Sequence, residues 1–536
     1  MKVAPRLEDA ARLGADGLVD PPTRARSRWI VAGIAVAVVA GTVLRFWCRS
    51  HLWLDEALTV HIAQLPLRRI PAALRHDGAP PLYYFMLHAW IRVFGTSRLG
   101  VRSLSGALSV VSLPVMWVAA RRMAVEAGLS DDMAALGWTG VLLVASSPFA
   151  VHFATEARMY SLVVLLVLVG YLALSEVLTG GHRSRPAAVT LAAVCGLLLL
   201  AHYWSFYLLV VVVVALVVKA QRCPSAAARS RVLVALGAIV GGGVLFVPWV
   251  PTFVYQLGHT GTPWSEPATF SAMVNAVSEF AGGKSSSGRA LGLIFFALAG
   301  FGLFGVGRDR WHVEIDLRTR PRGRALALVT AATLVVAIAV GLLTAGAFAA
   351  RYTSVVFPVF VLLVAMGTMA FDDRRVRSGV LAAAVVLGLV TSTGNVVTDR
   401  TELGRLISTA RQAGLAPGDV IAYCPDQLGP AGEELAPGGV HQVTFPALGD
   451  ARFVDWADYA RRNARADPGA FALAVSDLAG AHAVWLVWAP EYRTFGTECE
   501  QVVQRMGALR PPAEQLVASN PLRYFEHANL VRYPPR

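Results

Sequence analysis

Apolar runs of a length to cross a bilayer alternate with short polar stretches along the chain as far as about residue 396. Hydrocarbon about 30 Å thick takes roughly 20 helical residues. Runs at 29–47, 101–120, 133–151, 161–179, 187–202, 205–219, 232–249, 290–306, 325–347, 354–371 and 378–396 therefore predict about eleven transmembrane helices. The segment 80–94 is apolar but too short to span comfortably, so it is expected to lie along the interface. From about residue 400 the pattern changes. Strand-like runs at 419–423, 440–445 and 483–488 alternate with helix-like runs at 403–413, 455–466 and 498–509, which predicts a small α/β domain at the C-terminus. The expected organisation is a basic tail (1–28), an all-α polytopic membrane domain (29–396) with a first outer loop at 48–98, and an α/β domain (397–536).

Composition agrees with the pattern. Of 536 residues, 55% are hydrophobic and only 15% charged, which excludes a soluble enzyme with one core. The formal charge of +13 does not imply nucleic acid, because the arginines gather between apolar runs: Arg24, Arg26 and Arg28, Arg121 and Arg122, Arg183 and Arg185, Arg222 to Arg231, residues 308–324, and Arg374 to Arg377. Cytoplasmic loops carry such clusters. Eleven spans put every cluster on the cytoplasmic side, with the N-terminus inside and residues 397–536 outside. The first run follows a tail too long and too basic for a standard signal peptide, and no Ala-x-Ala site closes it, so it reads as a retained anchor.

The same topology collects candidate chemistry on the outer face. Asp55 and Glu56 follow the first span, and in so apolar a chain buried carboxylates need partners or a purpose. Capping of an interfacial helix is the plainer account of both. His76 and Asp77 share their loop, as do Tyr83 and Tyr84, which read equally as aromatic belt anchors. Glu156, Arg158 and Tyr160 follow the third span, where Glu156 and Arg158 alone would make an interfacial ion pair. His202 follows the fifth span, and Arg351 and Tyr352 the ninth, where a snorkelling arginine is the alternative. His76, Asp77 and His202 suit a divalent cation by type but lack a tight ligand spacing, which leaves a metal open. Cys424 and Cys499 both fall in the C-terminal domain and form a candidate disulfide in an oxidising compartment. No P-loop or Gly-x-Gly-x-x-Gly element in a strand-turn-helix context occurs, which argues against direct use of cytoplasmic nucleotides.

Trp53-Leu54-Asp55-Glu56, Pro80-Pro81-Leu82-Tyr83-Tyr84 ending in Phe94-Gly95, Arg102, Ser147-Pro148 before Glu156-Ala157-Arg158-Met159-Tyr160, and Arg351-Tyr352 before Pro358 resemble the GT-C membrane glycosyltransferases. More narrowly they resemble the family 39-like bacterial enzymes related to protein O-mannosyltransferases and lipid A aminoarabinose transferases. The resemblance covers residues 30–396 and leaves the C-terminal domain unmatched. It implies a GT-C helical bundle, a polyprenyl-phosphate-linked sugar donor, and a catalytic acid at Asp55. Sugar transfer to a hydroxyl needs a base, for which Asp55, with Glu56 beside it, is the candidate. The departing phosphate needs cations, for which Arg351 and Arg158 are candidates. One carboxylate acting without a second as nucleophile implies inversion. His76, Asp77, Tyr83, Tyr84, Glu156, Tyr160, His202 and Tyr352 are the expected substrate contacts. The acceptor, outside the membrane, is left open among protein, lipoglycan and cell-wall glycan. A lipid-linked-sugar flippase or transporter is the alternative, and would place its charges near mid-span rather than at one face.

Overall fold

The computed structural model describes residues 21–261, 269–283, 285–310, 312–318, 320–344, 348–490, 492 and 494–535, with side chains from Arg28 onward. Trp264, Glu266 and Lys284, the side chains of Arg24 and Arg26, and the tail before residue 21 lie outside the described residues.

Among the described residues, seven helices are long and apolar enough to cross a membrane: Arg98–Glu126, Tyr160–Thr179, Ser184–Ala201, Ala226–His259, Ser286–Phe304, Pro321–Thr344 and Arg374–Val397. The pair Ser130–Ser146 and Pro148–Ala154 reaches that length and apolarity only together, and is bent by 57° at its break. Three shorter apolar helices, Arg28–Leu44, Ser205–Gln221 and Phe357–Ala370, occupy the other expected positions. Two stretches between the expected spans carry further structure. The stretch 251–289, between two of the expected spans, continues the preceding span as the helix Val250–His259 and then forms Phe270–Ser278. The basic stretch 308–324 contains part of a two-stranded hairpin, β1 (Gly305–Gly307) against β2 (Val313–Ile315).

Opposite ends of the bundle differ in kind. At one end Arg122, Arg322 and Tyr171 gather around Glu126, and Arg377 holds Asp132 at 2.8 Å. At the other end the first span is tied down by Arg45, which is fully buried. Its guanidinium donates to the Gly41 and Ala145 carbonyls at 2.7 and 2.8 Å, to Val144 O at 2.7 Å and to Ser109 Oγ at 2.9 Å. A cation at a helix C-terminus satisfies carbonyls that the helix leaves unpaired.

Above that second end lie three short helices, Leu54–Gln64, Ile70–Asp77 and Leu82–Phe94. Gly78, at φ +82°, ends the second of them in the left-handed conformation that only glycine adopts freely, and turns the chain into Pro80-Pro81. The C-terminal domain sits on these helices. Its sheet holds β3 (Val420–Cys424), β4 (His441–Thr444), β5 (Gly449–Asp450), β6 (Val484–Trp488), β7 (Glu514–Val517) and β8 (Asn529–Tyr533). The spatial order is β5-β4-β3-β6-β8-β7, with β3 parallel to β4 and β6 and the other pairings antiparallel. Side chains alternate between faces along a strand. Ile421 and Tyr423 meet the helix Leu403–Gln412, whereas Val420 and Ala422 face a cluster that includes Leu58, Ile62 and Leu74 of the short helices. Cys424 and Cys499 are joined by a disulfide. The sequence reading missed the helix Pro468–Ala479 and the strands β7 and β8, and of its helix at 455–466 only Tyr459–Asn463 forms.

Candidate active site

Asp55 is in the first turn of Leu54–Gln64, at the seam between bundle, short helices and C-terminal domain. One Asp55 carboxylate oxygen lies 2.9 Å from Arg351 Nη1, and both side chains are 16% exposed. Arg351 comes from the short helical turn Ala350–Val355, and its guanidinium carbon lies 5.8 Å from the Trp53 ring and 5.6 Å from that of Tyr352. Arg158 approaches from the loop before Tyr160–Thr179. Its Nη1 donates to Thr59 Oγ1 at 2.8 Å and to Tyr84 Oη at 3.3 Å, and reaches the Asp55 carbonyl at 3.5 Å. Tyr84 in turn donates to Asp77 Oδ2 at 2.6 Å. Burial raises the Asp77 carboxyl above its ordinary value, against the pull of Arg158 and of the Tyr84 hydrogen bond.

An aromatic wall closes the other side. His202 lies between Tyr160 and Tyr352, with ring centroids 5.9 and 5.2 Å away. Its Nδ1 accepts the Trp204 N–H at 3.1 Å, which puts the imidazole proton on Nε2. Three donors here are sealed from solvent without a hydrogen-bond partner among the described residues: Arg158 Nε, Tyr160 Oη and Trp53 Nε1.

A second layer lies behind Asp55. Glu56 is fully buried and takes a two-pronged bond from Arg102, Nε to Oε1 at 2.7 Å and Nη2 to Oε2 at 2.6 Å. It also accepts the Ala157 N–H at 3.0 Å, which locks the loop carrying Arg158. Arg400, from the start of the C-terminal domain, donates to Thr155 O at 3.0 Å and to Thr155 Oγ1 at 2.7 Å. It lies 3.8 Å from Glu56 and 3.6 Å from Glu156. Glu156 pairs with His152 at 3.3 Å rather than with Arg158, because the short turn between them sends the two side chains to different layers. Burial opposes its ionisation, but His152, then Arg400 and Arg351, hold its carboxyl down at about 2.

The structure thus gathers Asp55, Asp77, Tyr84, Arg158, Tyr160, His202, Arg351 and Tyr352 into one connected cluster, and sets Glu56 and Glu156 in the layer behind it. Tyr83 is buried beside them, bonded to Ser105 Oγ at 2.7 Å. His76 is elsewhere: half exposed, it faces the C-terminal domain and meets Asp455 at 2.9 Å. Among the described residues no group of three or more His, Cys, Asp or Glu could hold a metal ion.

The architecture has solved counterparts. ArnT from Cupriavidus metallidurans in the apo state superposes with a TM-score of 0.59 at 16% identity, over 95% of this chain and 98% of that one. The chain has the GT-C fold. The same ArnT bound to undecaprenyl phosphate gives a TM-score of 0.56 at 14% identity, over 94% and 98% of the two chains. No family model matches, and no curated protein matches by sequence. The GT-C likeness therefore extends over the C-terminal domain as well as the bundle, which the sequence resemblance left unmatched.

Proposed function

We propose that this chain is a membrane glycosyltransferase that moves a sugar from a polyprenyl-phosphate donor to a hydroxyl of an extracytoplasmic acceptor, with inversion. The observation that carries the reading is the largely buried Asp55 carboxylate set 2.9 Å from Arg351, in a cluster that also holds the unpartnered donors Arg158 Nε, Tyr160 Oη and Trp53 Nε1. The undecaprenyl phosphate held by the ArnT of like fold supports the donor class. The N-terminus is assigned to the cytoplasm and residues 397–536 to the outer side, consistent with the arginine-rich end of the bundle lying opposite Asp55.

In the proposed step the acceptor oxygen attacks the anomeric carbon and its proton passes to the Asp55 carboxylate. The bond from that carbon to the phosphate oxygen breaks, and its electron pair leaves with the phosphate. Arg351 and Arg158 neutralise the growing charge, and Tyr160 Oη and Trp53 Nε1 are available as further donors. Arg351 then serves both groups, fixing Asp55 and meeting the phosphate. Glu56, saturated by Arg102 and Ala157, holds the geometry without reaching substrate.

The test uses protein in nanodiscs, a panel of radiolabelled polyprenyl-phosphate sugars, and identification of the labelled product. Asp55→Asn keeps the shape and loses the basicity, so transfer should fall by roughly 10²–10⁴-fold with donor binding little changed. Arg351→Ala should weaken donor binding as well, because its phosphate contact exists in ground and transition states alike. Near-normal transfer by a folded Asp55→Asn protein rules out the base assignment.

A further inference from the structure

The helix that presents Asp55 lacks a cap of its own. Trp53 occupies its N-cap and makes no side-chain hydrogen bond to it. The first N–H groups of a helix have no partner within it, and Asp, Asn, Ser or Thr at the N-cap is the usual acceptor. Here the acceptor comes from the far end of the chain: Glu526 Oε1 takes the Leu54 N–H at 3.2 Å across a separation of 472 residues.

Glu526 is itself fixed. Its backbone N–H donates to Arg400 O and its carbonyl accepts the Glu402 N–H, each at 2.9 Å, so the strand-like segment 400–402 that carries Arg400 also carries Glu526. The neighbouring Phe525 packs edge-on against Trp53, with centroids 5.4 Å apart. Glu526 Oε2 is sealed from solvent without a hydrogen-bond partner among the described residues.

We infer that Glu526 is a positioning residue: through it the C-terminal domain caps, in trans, the helix that carries Asp55, and so fixes the Asp55 carboxylate relative to Arg351 and Arg158. This rests on the reading of Asp55 as the base. Burial, with the charges of Asp55 and Glu56 adding to it, pushes the Glu526 carboxyl up to about 8. A carboxyl raised in this way still offers an acceptor oxygen to the Leu54 N–H, and it adds less negative charge beside Asp55 and Glu56 than an ordinary glutamate would. Capping by a distant residue makes alignment of the base depend on domain docking, and misplacement of a reacting group by about 1 Å costs on the order of 10²-fold in rate.

The test compares Glu526→Ala and Glu526→Gln in the full chain in nanodiscs, by two readouts. Hydrogen exchange of the peptide spanning residues 54–57 needs no substrate; kcat and KM are measured with whichever polyprenyl-phosphate sugar the wild type turns over. Glu526→Ala should speed exchange and lower kcat by about 10- to 100-fold with donor KM within about 3-fold of wild type. Glu526→Gln, whose amide oxygen accepts the same N–H, should restore both. If the alanine variant does not accumulate, Glu526→Met keeps the length and removes the acceptor. Unchanged exchange, or a glutamine variant as impaired as alanine, overturns the cap. Faster exchange with unchanged kcat overturns the positioning role. Normal transfer by Asp55→Asn, with the exchange response intact, marks failure of the base reading alone.

Discussion

Replacing Glu56 by glutamine separates a scaffold carboxylate from a catalytic one. Adjacent residues Asp55 and Glu56 look alike in sequence, but Glu56 has no exposure and three hydrogen bonds, two from Arg102 and one from the Ala157 N–H, with Arg400 at 3.8 Å. Glutamine keeps the volume and one acceptor oxygen. Its amide NH₂, however, faces a guanidinium, and it leaves Arg102 and Arg400 without their shared countercharge. Breaking a buried ion pair by removing one partner costs about 3–5 kcal/mol, because the remaining charge stays buried and uncompensated. The expected result is a marked fall in melting temperature and in the folded yield from detergent, while protein that does fold keeps most of its transfer rate. Arg102→Met should destabilise similarly. The double variant Glu56→Leu/Arg102→Met should lose less than the two singles summed, since an apolar pair of like volume replaces the ions. The assay is thermal unfolding of purified protein alongside transfer per folded molecule. A Glu56→Gln protein that melts like wild type yet transfers no sugar would refute this reasoning and place Glu56 on the substrate.

Two other expectations concern pH and sidedness. Burial pushes the Asp426 carboxyl up to about 7 and Glu526 up to about 8, so between about pH 4.5 and 8 the folded chain holds protons that the unfolded chain has released. The Asp426 contribution to stability should then be lost as pH rises from about 5 to 7, by up to about 1.4 kcal/mol per pH unit, so the stability of wild type relative to Asp426→Asn should fall across that window; a wild-type-minus-variant difference in melting temperature that climbs there would contradict it. Engineered thiols in 397–536 should react with an impermeant reagent in intact cells while thiols in 308–324 do not, and the reverse labelling would invert the topology.

What the sequence made legible followed from contrast. Asp55, Arg158, His202 and Arg351 each stand beside a long apolar run, where a polar residue needs a reason, and the arginine clusters set all four on one side. The C-terminal contributions had no such contrast. Arg400 and Glu526 sit among ordinary polar residues, and nothing in local pattern tells that they reach the helix of Asp55. His76 was misplaced for a geometric reason: neighbours on a helix point about 100° apart, so on Ile70–Asp77 Asp77 meets Tyr84 while His76 turns to Asp455. The helix Pro468–Ala479 had a readable start, Asp467 capping Gly469 and Ala470 with proline following. Strand β8 hides because Arg532 interrupts its apolar run.

The short helices explain why the site needs both domains. At 11, 8 and 13 residues they are below the length at which an isolated helix holds together in water, about 12–15 residues, or barely within it. Their stability must come from burial, and Leu54–Gln64 is buried on two sides. Ala57, Val60 and Ala63 join the core of the bundle, whereas Leu58 and Ile62 join the cluster under the C-terminal sheet. Ile70, Leu74 and Tyr84 add to that second cluster, while Tyr83 and Leu87 turn back to the first. Asp55 lies at the edge where these two contacts meet. Without the C-terminal domain the helix would lose one apolar face, its only observed N-terminal side-chain acceptor among the described residues, and the Arg400 charge behind Glu56. The domain is thus part of what holds the carboxylate 2.9 Å from Arg351, and if Asp55 is the base as proposed, a shift in its docking would act on the reaction without touching the reacting atoms.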